Sequence, residues 1–371
     1  MPRVLNNFLT FDVPVVDAGP RINKIIDTIT KSIKVALLEK EFFYGRKRVR
    51  AKSPHLSVST DHIGYFWHIT DFHYDPLYTA QGDTRRRGYY TIEQSHSKLR
   101  IVALNTNLFS VSEANGPQAK RQWEWLNQTL EKATTNNEMV YIVGHAAPGS
   151  DSRYNAYSVD ANSKYLRLVR RHARIIAGQF FGHLHVDTFR VIYDKDQPVS
   201  WAFLAPSLSP HHDPAGSSNP GLRLYKFDSD TGKVLDYTQF YLDLAVANRA
   251  VAGAGAEWVA EYNLTQYYVL RDVSAESLHH LADKLRIGTT QEMTMFHKYL
   301  RAYNVRHDSA DNCDGACAHQ HFCAITCLEH IAYRQCVEAA ASALAASGRS
   351  AALTAPLVNM ILTLILCIVV L

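Results

Sequence analysis

Apolar and polar positions alternate in blocks through the middle of the chain, and the period of each block predicts an element. Tyr65–Thr70 reads as a strand that ends in polar residues, and Leu99–Asn105 as a second. Gln118–Ala133 carries Trp123, Trp125, Leu126 and Leu130 at helical spacing. Glu138–Val143 is a short apolar run, as expected of a strand buried on both faces. Lys164–His172 predicts a helix and Arg174–Phe181 another strand. Val199–Leu204, Gly221–Phe227 and Val234–Leu244 read as closing strands, and Trp258–Leu300 as mainly helical. Strands that alternate with helices in this order predict an α/β fold, a layered β-sandwich flanked by helices. Ahead of it, Arg21–Lys40 shows an apolar stripe of isoleucine, valine and leucine that predicts one helix, followed by a basic, turn-prone stretch. The organisation expected is an unrelated N-terminal segment over 1–64, a core over 65–245, a helical cysteine-rich subdomain over 246–340 and a terminal segment over 341–371.

Composition refines this picture in three places. A net charge of +4 over 371 residues gives no argument for a nucleic-acid duplex as partner. The local run Gly45-Arg46-Lys47-Arg48-Val49-Arg50 reads as solvated surface or linker, with a localisation signal or polyanion site as the rival. Cysteine is absent before Cys313, then appears at Cys313, Cys317, Cys323, Cys327 and Cys336, with Cys367 in the apolar tail. Such clustering predicts a small disulfide-stapled appendix; a zinc site is the rival, although no paired CxxC spacing is present.

The end of the chain carries a compartment signal. Leu353–Leu371 has no charge, and small residues precede it from Ala339 to Ser350. Small residues, a spacer and an apolar tail are the pattern of a GPI-anchor signal; a tail-anchored membrane helix is the alternative. Asn127-Gln128-Thr129 and Asn263-Leu264-Thr265 are glycosylation sequons, relevant on a secretory route. Met1–Asp17 lacks the basic start and apolar stretch of a signal peptide, which predicts a different first exon. The localisation expected is extracellular or cell-surface, with the membrane reached through the tail.

Candidate chemistry lies where predicted strands end. Asp71-Phe72-His73, Gly144-His145 and Gly182-His183-Leu184-His185 each follow an apolar run. Ligands of α/β sheets bind beyond the carboxyl ends of strands. On an extended backbone, Asp-x-His and His-x-His present both side chains on one side, and the glycines allow sharp turns and close approach. Carboxylate with imidazole suits zinc, iron or manganese, and a pair of such ions can clamp a phosphoryl group and activate water.

Four strings extend these motifs: Trp67–Pro76, Ala103–Leu108, Val140–Gly149 and Gly178–Phe189. They closely resemble the acid sphingomyelinase-like phosphodiesterases, a branch of the calcineurin-like metallophosphoesterases, with the likeness running from about Tyr65 to Cys336. The tail resembles the lipid-anchored member of that branch. The resemblance implies a metallophosphoesterase fold and two zinc ions. Asp71, His73 and His185 would hold the first, and His145 and His183 the second. It also implies disulfides Cys313–Cys317 and Cys323–Cys336, leaving Cys327 single. The implied reaction is hydrolysis of phosphodiester or phosphate bonds in nucleotides or phospholipid headgroups.

The chain departs from the family in one segment. Only 31 residues separate His73 from Asn105, where the family has well over a hundred. The family's Gly-Asp motif, whose Asp bridges both metals, and its Asn-His motif, which supplies a metal ligand and a proton donor, have no counterpart. Gly82-Asp83 has the right letters but follows His73 with no strand between. No catalytic proton donor is therefore assigned, and one ion or none is expected rather than two. At least one strand–helix unit is missing, which predicts uncovered apolar surface on the truncated core. The alternative function is a non-catalytic, membrane-anchored surface protein that keeps a partial metal site.

Overall fold

Residues 9–10, 63–71, 88–93, 98–151, 155–209, 211–213, 216–249, 257–286, 290–307, 313 and 315–339 are described by the structure, a computed structural model. The expected helix 21–40, the basic run 45–50, His73, Asp83, Cys367 and the tail 341–371 lie outside the described residues.

The strands of the six-stranded sheet show why the apolar runs were readable. It contains β3 (Tyr90–Glu93), β4 (Leu99–Ala103), β5 (Met139–Val143), β6 (Ile176–Phe181), β7 (Thr188–Asp194) and β8 (Gln197–Leu204), in the order β3-β4-β5-β6-β8-β7. The β4, β5, β6 and β8 strands run parallel, with antiparallel strands at both edges. Alternate side chains feed two cores. Ile101, Tyr141, Val143, Phe180, Trp201 and Phe203 face one way. Val102, Val140, Ile142, Phe181, Ala202 and Leu204 face the other, toward α1 (Pro117–Thr135) and α2 (Val159–Arg171), which cover that face with Trp123, Leu126, Leu130, Tyr165 and Leu166.

A second sheet closes the sandwich. It contains β1 (Leu9–Thr10), β2 (Ile63–Ile69), β11 (Gly221–Asp228), β12 (Val234–Leu242) and β13 (Trp258–Asn263), in that order. Its Phe66, Tyr225, Phe227 and Tyr237 pack on the first sheet, where Phe66 stacks on Tyr225 at 4.8 Å and meets Phe180 edge-on at 5.3 Å. A small hairpin of β9 (His211–Asp213) and β10 (Gly216–Ser218) stands apart from both sheets.

Three expectations change. The strand β7 was not foreseen, and Trp258–Asn263 is a strand paired with β12 before the helices begin. The sheet therefore extends past residue 245, and at its other end it takes in Leu9–Thr10 and Ile63. The helices that follow, α3 (Leu264–Tyr268), α4 (Ala275–Lys284), α5 (Thr290–Tyr303) and α6 (Gly315–Thr326), share one core with the sandwich through Leu278, Phe296, Tyr299 and Ile325. Apolar surface was expected to lie bare on the core; the edge of β4 is covered, while β3 itself leaves Tyr90 and Ile92 exposed. Antiparallel β3 pairs along its length, every residue of β4 is buried, and Tyr89 packs on Trp125 at 4.7 Å. Buried Arg100 ties β3 and β5 to β4 through Glu93 and Glu138 at 2.8 and 2.7 Å.

Both disulfides form as the resemblance implied, Cys313–Cys317 and Cys323–Cys336, with Cys327 free. Four of the five clustered sulfurs are thus covalently paired, which answers the zinc alternative. His319 leans on the second bridge, 3.2 Å from Cys323 Sγ. The sequons fall on ordered backbone. Asn127 sits within α1 and donates to Glu131 at 2.9 Å, and Asn263 precedes α3 and donates to Thr238 Oγ1 at 2.7 Å. Among the described residues no helix is long and apolar enough to cross a membrane.

Candidate metal centre

Parallel strands end at one rim of the sandwich, and that rim gathers the strand-end motifs. The β5 strand delivers Gly144-His145, β6 delivers Gly182–His185, and β2 of the facing sheet delivers Thr70-Asp71. Backbone bonds fasten the loops after β5 and β6 together: Gly144 N donates to Phe180 O at 3.1 Å, and Gly182 N to His145 O at 2.8 Å. The loop after β5 is held further by Thr106, whose Oγ1 accepts from Ala146 N at 2.9 Å.

Four of the five predicted ligands meet here. Asp71 is 1% exposed at the centre. Its Oδ1 lies 3.2 Å from His185 Nε2 and 3.7 Å from His145 Nδ1. Its Oδ2 accepts from Thr70 Oγ1 at 3.0 Å and from His183 N at 2.9 Å. His145 Nε2 and His183 Nδ1 are 3.0 Å apart. The fifth predicted ligand, His73, lies outside the described residues.

The backbone that makes this convergence differs from the expected alternation. Asp71, His183 and His185 all adopt left-handed φ, at 58°, 73° and 60°. That conformation is unfavourable for residues with a Cβ and is stored where surrounding contacts enforce it. Leu184 N bonds back to Gly182 O at 2.9 Å, so Gly182–His185 forms a tight turn rather than a strand extension. Gly182 is needed for close approach, not for its own φ. A Cβ there would run into Thr70 Oγ1 and Asp71 Oδ2. Gly182→Ala is accordingly expected to destabilise the fold by about 1–3 kcal/mol, as overpacking does, and to weaken any metal bound there. Urea unfolding and metal content of the purified variant check both effects.

Charge at the site suits a cation. Burial works against ionisation of Asp71, but the hydrogen bond from His185, the charges of His145 and His185, and the His183 amide outweigh it. The carboxyl is held below the usual carboxylate range. Burial, with the neighbouring His145 charge, lowers His183 to about 4, so its imidazole is neutral at pH 7. A neutral imidazole and an ionised carboxylate are the forms that ligate metals. The spacing agrees. In a tetrahedral site with bonds near 2.0–2.1 Å, neighbouring donor atoms sit roughly 3.3 Å apart. The Asp71–His185 distance of 3.2 Å matches that edge, whereas His145 turns Nδ1 to Asp71 at 3.7 Å and Nε2 to His183 at 3.0 Å, so only one of its two contacts can belong to a given ion.

Similarity to known proteins follows the same residues. The stretch 197–343 matches the family described as acid sphingomyelin phosphodiesterase C-terminal region. The chain is 37% identical over 262 residues to cyclic GMP-AMP phosphodiesterase SMPDL3A of Bos taurus, an alignment covering 68% of this chain and 57% of that protein. It is 37% identical over 252 residues to acid sphingomyelinase-like phosphodiesterase 3b of Homo sapiens, covering 65% and 54%. Over these stretches the chain is similar to the acid sphingomyelinase-like phosphodiesterases. It spans little more than half the length of these relatives. Among solved structures, a dimetal phosphatase from Danio rerio aligns at 12% identity over 46% of this chain and 59% of its own, with a TM-score of 0.30.

Sequence reasoning missed the side chains that hold this family's rim in place here. Asp187, two residues past His185, is buried and forms an ion pair with buried Arg223 of β11. Tyr262 donates to the other Asp187 oxygen at 2.5 Å, Arg223 Nε donates to Gln239 at 2.6 Å, and the guanidinium lies 4.3 Å from the Tyr237 ring centre. The only signal in the sequence was a lone arginine in an otherwise apolar strand, Gly221-Leu222-Arg223-Leu224-Tyr225. Ser218 Oγ donates to His185 O at 3.0 Å and fixes the turn from the opposite side.

Proposed function

We propose that Asp71, His145, His183 and His185 hold a divalent metal ion, zinc by preference, and that the chain is a metal-dependent phosphodiesterase. Its substrates are phosphodiester or phosphate bonds of nucleotides or phospholipid headgroups. The observation that carries this reading is the convergence of one buried carboxylate and three imidazoles from separate strands on one rim. The relatives' names, a cyclic GMP-AMP phosphodiesterase in one case and an acid sphingomyelinase-like phosphodiesterase in another, support the substrate class.

When bound, such an ion supplies Lewis-acid polarisation of a phosphoryl oxygen. The chain's own residues do the rest. Asp71 stays ionised although buried, and so neutralises cationic charge from below. The Thr70 hydroxyl and His183 amide bind its second oxygen and leave Oδ1 directed at His145 and His185. His183, neutral at pH 7, offers a ring nitrogen without first losing a proton.

A second reading rests on the short connection between His73 and Asn105. Without an Asn-His motif the chain keeps metal and phosphate affinity but turns over slowly or not at all, as a surface-bound binding protein. Both readings place the chain on a secretory route at the cell surface, held by its tail. Support comes from two disulfides, which persist in oxidising compartments, from the sequons and from the uncharged C-terminus.

Hydrolysis of bis(4-nitrophenyl) phosphate by the full chain with zinc or manganese tests the catalytic reading. Turnover above a chelated control, falling at least about a hundredfold in His183→Ala, is expected, since losing an outer partner alone is worth 10–100-fold. Turnover that survives both chelation and His183→Ala contradicts it. Metal binding without turnover favours the second reading.

A further inference from the structure

Beside the proposed metal centre, a small cavity is lined by Pro148, Gly149, Ser150, Asp151, His183 and Arg190. Two of these side chains are buried polar groups that the fold leaves unanswered. Arg190 of β7 is 4% exposed, and its Nε has no hydrogen-bond partner. Among the described residues its only hydrogen bond is a long one from Nη1 to Phe189 O at 3.4 Å, and it has no carboxylate within ion-pair distance. Ser150 is 3% exposed, and its Oγ is likewise unpartnered. Gly149, whose backbone accepts no further atom without meeting Leu328, keeps the loop close over Arg190 Nε. A buried guanidinium with no carboxylate in ion-pair contact is costly, because its hydration is lost and only incompletely replaced. The charge is retained where a ligand supplies the missing partner.

We propose that Arg190 and Ser150 form an anion subsite next to the metal centre. It receives one negatively charged oxygen, of a phosphoryl or carboxyl group, from the part of the substrate that is not transferred. The cavity has room for about one oxygen-sized group, which fits a single oxygen presented from the His183 side and excludes a whole phosphate. Asp151 on the same wall favours a singly charged group over a doubly charged one. Arg190 Nε–H and Ser150 Oγ–H are the donors, a charge-assisted and a neutral hydrogen bond to the same oxygen. The substrate role rests on the phosphodiesterase reading; the anion site does not.

Metal-depleted full chain tests it, so that failure of the metal reading leaves the outcome unaffected. Calorimetric titration with inorganic phosphate and, separately, phosphocholine distinguishes a free anion from one carried on a headgroup. Arg190→Met is expected to weaken binding of whichever anion binds by at least about tenfold, and Ser150→Ala by less. In anion-free buffer Arg190→Met is expected to melt no lower than the parent, since an uncompensated buried charge is removed. Unchanged affinity in Arg190→Met, or absence of binding by both anions to the parent, overturns the proposal. Should Arg190→Met fail to fold, unchanged affinity in Ser150→Ala overturns it instead.

Discussion

Asp187→Ala is expected to cost about 3–5 kcal/mol of folding stability, the amount lost when one partner of a buried ion pair is removed. Arg223 is completely buried, and the Asp187 carboxylate beside it keeps its guanidinium charged against the cost of burial. Removing that carboxylate also takes away the acceptor of the Tyr262 hydroxyl, which is left with only the Tyr237 hydroxyl at 2.9 Å. The double variant Asp187→Leu with Arg223→Leu is expected to recover most of the loss, because both charges then leave together. Urea unfolding of the single and double variants measures the coupling. Equal destabilisation in the two would mean that the pair contributes through packing alone. The metal centre should feel the single variant as well. Asp187 sits at the end of the turn that forces His183 and His185 into left-handed backbone, and Asp187 N is fixed to Tyr303 O at 3.1 Å.

Acid should destabilise the metal-free chain through His68. This residue is fully buried on β2, opposite Arg223 in the register of β2 and β11. Burial, and after it the Arg223 charge, lowers it to about 3, although Asp71 works in the other direction. Unfolded histidine titrates near 6.5. Between these values the unfolded chain binds a proton that the folded chain refuses, so stability rises with pH across the window. It is fully present above pH 6.5, falls as pH drops toward 3, and changes no further below. At about 1.4 kcal/mol per pH unit the loss is on the order of 5 kcal/mol. His68→Gln should flatten this slope in urea titrations at several pH values. An unchanged slope would show that His68 takes up its proton while folded.

What could be read from sequence follows from burial. The β4, β5 and β6 strands are covered on both faces, so their apolar runs stood out, and the polar motifs at their ends marked the rim. The β7 strand escaped because Thr188–Asp194 carries Arg190 and begins directly after the histidine motif, where a loop is the natural reading. The β13 strand escaped because Glu261 and Asn263 interrupt it and helical segments follow immediately. Four of the five expected ligands, Asp71, His145, His183 and His185, meet at the rim, on a backbone other than the one expected. Strict alternation predicted that His183 and His185 share one side, whereas left-handed turns bring them to Asp71. The Asp187–Arg223 pair was invisible because its partners are remote in the chain and meet only when the two sheets close. Coverage of β4 by β3 was invisible for a similar reason, since the family's longer connection was the only guide.

Metal analysis of the intact chain tests the central claim most directly. Protein purified without chelators and loaded with zinc, then dialysed, should retain at least one ion per chain. His145→Ala and His185→Ala should each lose it while keeping a cooperative melt. A parent chain that holds no ion, or variants that hold as much as the parent, would contradict the account.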